Sequence, residues 1–399
     1  MRVFELNLIS TMRYKLAENI IDKSDVSALA KWLTNSRQTP QLTKSRLTLE
    51  FEKQWAKWIG TKYAVFCNSG SSANLLMAAS ALYSGGLKNK KVVVPAVGWA
   101  TTVSPFMQLG FEPIMCGADP DNFGLNLDHL EKILRKHKPA LVIMVQVLGV
   151  PSDMKKLLAL KKKYKFLLME DACAALGAEY GGRKVGSFGD MGAFSFYFGH
   201  QLSTIEGGMV NTNNKNLYDL LLMLRSHGWG KDLDKNARAR LLKKYKIDSF
   251  HEPFTFFVPG FNVRATDLQA FLGLLQMRKA DKVSAIRARN HLLYAKNIRG
   301  VEFQKWPVGS RPVSISFGAL AKDEANRKRI VSAFNKHGIE TRLFSAGNLG
   351  RHPFWFEKYG KFSDPVADKV HSRGFFLPNH ESLTEKDVLF ICGIVNKIS

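Results

Sequence analysis

The chain has 399 residues, 45% of them apolar, enough for a large domain and a smaller one around real cores. Lysine and arginine outnumber aspartate and glutamate by 58 to 34, and the formal charge of +24 favours anionic partners. The lysines fall in helix-like segments such as KKLLALKKKYK, without interleaved aromatics, and no apolar run reaches membrane-spanning length. Nucleic-acid binding and a membrane span are therefore not expected, and the basic surface suits a small phosphorylated substrate.

Cys67, Cys116, Cys173 and Cys392 lie far apart with no CxxC spacing, so neither a metal site nor a disulfide framework is expected. The opening MRVFELNLISTMRYKLAEN lacks a long apolar stretch before a small-residue cleavage site. A cytoplasmic protein is the resulting expectation.

In chain order, residues 14–60 read as two helical pieces, the second being LTLEFEKQWAKWIG. KYAVFCNSGSSANLLMAASALY is a strand, a small polar turn and an apolar helix. A Ser/Gly turn opening a helix presents N–H groups and hydroxyls that suit a phosphate, although it is also an ordinary strand-to-helix connection. The strand KVVVPAV runs into Trp99, a residue suited to stacking on a planar ring or to packing at an interface. FEPIMCGAD reads as an edge strand. A helix and a strand follow in HLEKILRKHKPALVIMVQVLG, then a helix over 152–163. The strand FLLMEDACAALG ends at Glu170-Asp171, where ligand contacts fall in open α/β sheets.

AFSFYF reads as a buried strand carrying Ser195 and ending in Gly199-His200. His200 is either a ligand-facing group at the rim of the sheet or a structural histidine. Beyond residue 211, Arg225, His227 and Trp229 share a polar stretch, and residues 241–260 read as an aromatic loop packed on another surface. GFNVRATDLQA opens one long helix, and the remainder mixes helices with strands such as SISFGAL. Alternating strands and helices over some 200 residues imply an α/β fold with a mostly parallel sheet covered on both faces.

The ligand-facing residues are then Ser69 to Ser72, Trp99, Asp171, Ser195, His200, His227 and Asn262. A phosphate turn, an aromatic platform, a carboxylate at a strand end and a histidine together fit pyridoxal phosphate. Its ring nitrogen needs an acidic partner to stay protonated.

Five stretches carry a resemblance: NSGSSANLL, PAVGWATTVSP, MEDACAALGAEYGGRKVGSFGDMGAFSFYFGHQLSTIEGG, GFNVRATDLQA and IETRLFSAGN. Over nearly its whole length the chain resembles the DegT/DnrJ/EryC1/StrS sugar aminotransferases. The resemblance implies the fold-type I aspartate aminotransferase architecture. That is a mostly parallel central sheet flanked by helices in a large cofactor-binding domain, residues 1–280, with a smaller α+β domain, residues 281–399. It also implies a homodimer with shared active sites. Gly70, Ser71 and Ser195 would hold the cofactor phosphate, Trp99 would cover the ring, and Asp171 would pair with the pyridine nitrogen. Asn262 would reach the phosphate in the neighbouring subunit.

Where the aminotransferases carry their Schiff-base lysine, this chain has His200, and Ala174 stands where many members have glutamine. Imidazole cannot form the lysine's stable covalent link to pyridoxal phosphate, yet it moves protons near neutral pH. FGHQLSTIEGG and RSHGWG resemble the branch of 3-dehydratases acting on 4-keto-6-deoxy nucleotide sugars, its GDP-linked members above all. Such an enzyme would use pyridoxamine phosphate, with its amine condensed on the sugar C4 ketone. His200 would be the catalytic base, His227 would position substrate or relay a proton, and L-glutamate would regenerate the amine. The cysteine spacing does not match the iron–sulfur cluster of the CDP-sugar relatives. A nucleotide-sugar aminotransferase and a catalytically silent cofactor-binding protein are the alternatives.

Overall fold

The computed structural model describes residues 12–35 and 40–398. Residues 1–11, assigned above to the large domain, and residues 36–39, inside the first helical stretch, lie outside the described residues.

Helices α1 (Lys23–Thr34) and α2 (Arg46–Ile59) lead into a series of strand–helix units. These are β1 (Tyr63–Cys67) with α3 (Gly70–Tyr83), β2 (Lys91–Pro95) with α4 (Ala100–Gln108), β3 (Glu112–Cys116) with α5 (Leu127–His137), and β4 (Leu141–Val145) with α6 (Met154–Tyr164). Strand β5 (Leu167–Asp171) follows, then a short hairpin of β6 (Glu179–Tyr180) and β7 (Arg183–Lys184), then β8 (Met191–Ser195) and β9 (Gly208–Thr212).

The main sheet has seven strands in the order β1-β9-β8-β5-β4-β2-β3. β9 runs antiparallel to both neighbours and the remaining pairs are parallel, so six strands point one way. Every residue of β4, β8 and β9 is buried, as expected of strands covered on both faces. The carboxyl ends of β1, β2, β5 and β8 share one edge of the sheet. That edge brings Ser69, Trp99, Asp171 and Ser195 within reach of one another from four distant parts of the chain.

Downstream come α7 (Lys215–Arg225), α8 (Lys235–Tyr245), α9 (Asp267–Met277) and α10 (Ala280–Asn297). Strands β10 (Glu302–Phe303), β11 (Ser310–Arg311) and β12 (Ser316–Leu320) precede α11 (Glu324–Lys336), α12 (Pro353–Tyr359) and α13 (Pro365–Arg373). The described chain ends with β13 (Gly374–Pro378) and α14 (Glu385–Ile398). A second sheet, β10-β12-β13, has its own core of Phe317, Ile330, Phe334, Phe375, Leu377, Ile391 and Val395.

Several expectations need correction. The strand read as AFSFYF stops at Ser195. Phe196 N–H bonds Gly207 O (2.9 Å) and Thr204 N–H bonds Phe196 O (2.9 Å), pinching off a loop over 197–206. His200 therefore sits in that loop, not on the strand. The aromatic loop at 241–260 begins as helix: α8 runs to Tyr245, capped by Asp234, whose carboxylate accepts Ala237 N–H. The run RARLLKKYK at 238–246 is helix-like in the sequence, but Ala237 is the helix's one buried residue, so no apolar face marks how far the helix runs into the expected loop. The single long helix after Thr266 is two, broken at Arg278-Lys279, where Lys279 reaches Asp22 and Asp25 at the start of α1 (2.7 and 2.6 Å). The N-terminal segment also crosses over. Tyr14 N–H donates to Gly338 O (2.9 Å) and its ring joins the core of the second sheet.

Candidate active site

The turn between β1 and α3 presents hydrogen-bond donors of a kind that suits an anion. Ser69 caps α3, its hydroxyl accepting Ser72 N–H at 3.0 Å. The N–H groups of Gly70 and Ser71, first in the helix, have no carbonyl to bond within it and lie at its positive end. Ser71 is exposed and its hydroxyl donates to Thr101 Oγ1 at 3.0 Å. Ser195 closes the cradle from below. A Cβ on Gly70 would stand 2.6 Å from Ser195 Cβ, 3.0 Å from its Oγ and 3.1 Å from Cys173 Sγ. Gly208, paired with both Cys67 and Ser195, permits equally close approach from β9, since a Cβ there would lie 2.1 Å from Ser69 O. Glycine at both positions is a packing requirement.

The acidic pair at the end of β5 splits its work because adjacent strand residues face opposite sides of the sheet. Glu170, fully buried, accepts N–H groups from Gly186 (2.8 Å), Phe188 (2.6 Å) and Gly189 (2.7 Å) and shapes the loop into β8. Burial pushes its carboxyl pKa up against those hydrogen bonds. Asp171 faces the cradle side. Its Oδ2 accepts Thr102 Oγ1 (2.6 Å) and Asn74 Nδ2 (2.8 Å), and its Oδ1 accepts Cys173 N–H (3.1 Å). The carboxylate is buried and oriented from two helices, with lone pairs to spare on Oδ1.

His200 N–H donates to Tyr197 O (2.9 Å), closing a tight turn. Its Nδ1 is buried without a hydrogen bond of regular geometry. Burial pulls the imidazole down to about 4. Asp171 and the Cys173 backbone oppose that shift, and Arg287 reinforces it. The ring is thus neutral at pH 7, the form that can accept a proton.

The structure gathers Gly70, Ser71, Asp171, Ser195 and His200 around Cys173. Trp99, the residue before α4, joins them through Thr101 and Thr102, its indole 61% exposed. His227 and Asn262 lie at the base of an arm spanning residues 226–262, which meets the cradle turn where Asn68 N–H donates to Val263 O (3.0 Å). Ser226 bridges Asn262, and His227 N–H donates to Phe261 O at 2.6 Å. The His227 ring packs on Trp229 (5.0 Å), and Asn262 is exposed. The tip carries Phe250 and Phe254, 85% and 75% exposed.

These residues fit a phosphorylated, planar, basic ring. The Gly70 cradle admits close backbone approach, the donors around it are N–H and hydroxyl groups, and the Asp171 carboxylate is held ready for a cationic nitrogen. The profile of the DegT/DnrJ/EryC1/StrS aminotransferase family matches residues 22–396. The chain belongs to that family. Its members include a GDP-4-keto-6-deoxy-D-mannose 3-dehydratase of Yersinia pseudotuberculosis, 28% identical over 97% of this chain and 99% of that one. A GDP-perosamine synthase of Caulobacter vibrioides is 32% identical over 88% of this chain and 90% of the other. Among solved structures, a GDP-4-keto-6-deoxymannose-3-dehydratase with a trapped PLP-glutamate geminal diamine superposes with a TM-score of 0.87. It is 26% identical, covering 96% of this chain and all of that one. The family fold is the aspartate aminotransferase architecture expected from the sequence.

Within this family site, sequence reasoning passed over Asn74, Thr101, Thr102 and Gln201. Asn74 lies one helical turn beyond Gly70, and Thr102 three residues beyond Trp99, so helical spacing of polar residues in otherwise apolar helices was the available signal.

Proposed function

We propose that the protein is a pyridoxamine phosphate-dependent 3-dehydratase of a 4-keto-6-deoxy nucleotide sugar, GDP-linked. The observation that carries the reading is an imidazole, not an amine, beside the Asp171 carboxylate and the Gly70–Ser195 cradle. The relatives named as GDP-sugar 3-dehydratases support the substrate class, and the trapped glutamate adduct of one of them supports L-glutamate as amine donor.

When bound, the cofactor supplies an amine for the sugar C4 ketone and a protonated ring that draws off electrons. Gly70, Ser71 and Ser195 hold its phosphate, and Trp99 covers its ring. Asp171, fixed by Thr102 and Asn74, keeps a proton on the pyridine nitrogen. His200, neutral at pH 7, takes a proton from the cofactor C4′ carbon and, as imidazolium, gives one to the departing C3 hydroxyl. Overall the sugar loses its C3 oxygen, while L-glutamate leaves as 2-oxoglutarate and ammonia. His227 and Asn262 act across a homodimer, where the Phe250–Phe254 tip covers the partner and Asn262 reaches its phosphate.

The test incubates the enzyme with cofactor, L-glutamate and GDP- and CDP-linked 4-keto-6-deoxy sugars, then measures sugar mass and free ammonia. A 3-deoxy product with ammonia is expected from the GDP sugar. A 4-aminosugar that keeps its C3 oxygen would overturn the reading in favour of transamination, which the perosamine synthase match favours.

A further inference from the structure

Gln201, next to His200, is fully buried, and nothing in the proposed chemistry uses it. Its Nε2 donates to Ala174 O (2.7 Å) and lies 3.3 Å from Val313 O. Three backbone segments meet at that point. Gly149, just beyond β4, accepts Val313 N–H (3.0 Å), and a Cβ on Gly149 would stand 2.2 Å from Val313 O and 2.8 Å from Ala174 O. Ala174 ends the turn that begins at Asp171, and Val313 precedes β12. Arg287 Nη1 fastens the same strand entry through Ile315 O (3.0 Å).

The loop over 197–206 is otherwise tied at its far end, through Thr204 to Glu206 O (2.7 Å) and Gln269 to Glu206 O (2.7 Å). The outer part of the loop, Tyr197 and Phe198, is exposed. On the His200 side, the Gln201 carboxamide ties the loop to Ala174 O, next to the imidazole's own contact with the Cys173 backbone in the same turn.

We propose that Gln201 is the positioning residue of His200. It anchors the loop so that the imidazole keeps its place against the carboxylate end of β5. A shorter side chain cannot span to Ala174 O, and an apolar one of the same length has no N–H to give. The catalytic consequence rests on the dehydratase reading, but the placement of the imidazole does not.

Two variants test it: Gln201→Leu, which keeps most of the bulk and loses the donor, and Gln201→Met, which keeps the length and loses the donor. The first readout needs no cofactor or substrate. The rate of His200 modification by diethylpyrocarbonate, mapped by mass spectrometry in the cofactor-free dimer, should rise about fivefold or more in both variants as the loop loosens. The second is the kcat–KM split with pyridoxal phosphate binding. We expect kcat to fall about 10- to 100-fold, with KM and the cofactor Kd within about threefold of wild type. An unchanged modification rate overturns the proposal. A parallel loss of cofactor binding, kcat and melting temperature also overturns it, because that pattern marks a merely structural residue. If Gln201→Leu does not fold, Gln201→Met decides by the same readouts. Wild-type enzyme without dehydratase activity would sink the functional reading and leave the modification test standing.

Discussion

Replacing Gly70 with alanine tests the phosphate cradle at one atom. The added Cβ would stand 2.6 Å from Ser195 Cβ, whereas unstrained carbon contacts are about 3.5–4.0 Å, so one side must yield by about 1 Å. Cys173 Sγ at 3.1 Å and Ser195 Oγ at 3.0 Å block two of the ways out. Overpacking of this kind costs about 1–3 kcal/mol. Because the displaced group is the hydroxyl proposed to hold the phosphate, the cost should appear as lost affinity. At about 1.4 kcal/mol per tenfold, the Kd for pyridoxal phosphate should rise about 5- to 150-fold. The assay is an absorbance titration of cofactor-free enzyme, with inorganic phosphate as competitor to isolate the phosphate subsite. Gly393→Ala is the control, since a Cβ there meets nothing within 4 Å, and it should leave the Kd alone. A Gly70→Ala enzyme that binds the cofactor within about twofold of wild type would refute the reasoning.

Other outcomes follow from the same geometry. The His200 pKa falls from 6.5 to about 4 on folding, so the folded state resists protonation; stability is complete above pH 6.5 and is lost as pH drops toward 4, by about 3 kcal/mol in all. His200→Asn should lack that component, and an identical acid dependence of unfolding in the two proteins would contradict it. His200→Lys should lose most dehydration, shift the cofactor spectrum and form 4-aminosugar slowly, whereas His200→Asn should bind cofactor and lose about 10²–10⁴ in rate. Wild-type amounts of 3-deoxy sugar from both variants would remove His200 from the chemistry. Phe250→Ser combined with Phe254→Ser should convert the proposed dimer to monomer at micromolar concentration and lower cofactor occupancy, as read by light scattering and absorbance. A double variant that remains dimeric places the interface elsewhere.

Much of the architecture was legible in the chain because strand–helix alternation and apolar runs are local signals. β1 to β5, α3 and the edge position of β3 stand where the residue pattern puts them. The roles proposed for Asp171 and His200 came from the family resemblance, since a Ser/Gly turn is also an ordinary strand-to-helix connection and a lone histidine is as readily structural. Features settled by partners distant in sequence were not readable. The break at Arg278-Lys279 depends on Asp22 and Asp25, some 250 residues earlier, and no glycine or proline marks it. The helix-like run RARLLKKYK was legible, but α8 buries little, so its pattern does not mark where helix gives way to loop.

Residue types along the chain determined which groups are available: an imidazole at position 200, a carboxylate at a strand end, hydroxyls at a helix start. Tertiary structure alone decided how these act. Strand alternation sent Glu170 to the loop and Asp171 to the Gly70 side, and folding half-buried the His200 ring, whose desolvation lowers its pKa. Packing also brought Gly70 so close to Ser195 that a single methyl group would not fit. Burial, desolvation and contact distance arise only when remote segments meet, which is why the strength of each group lies in the fold and its identity in the sequence.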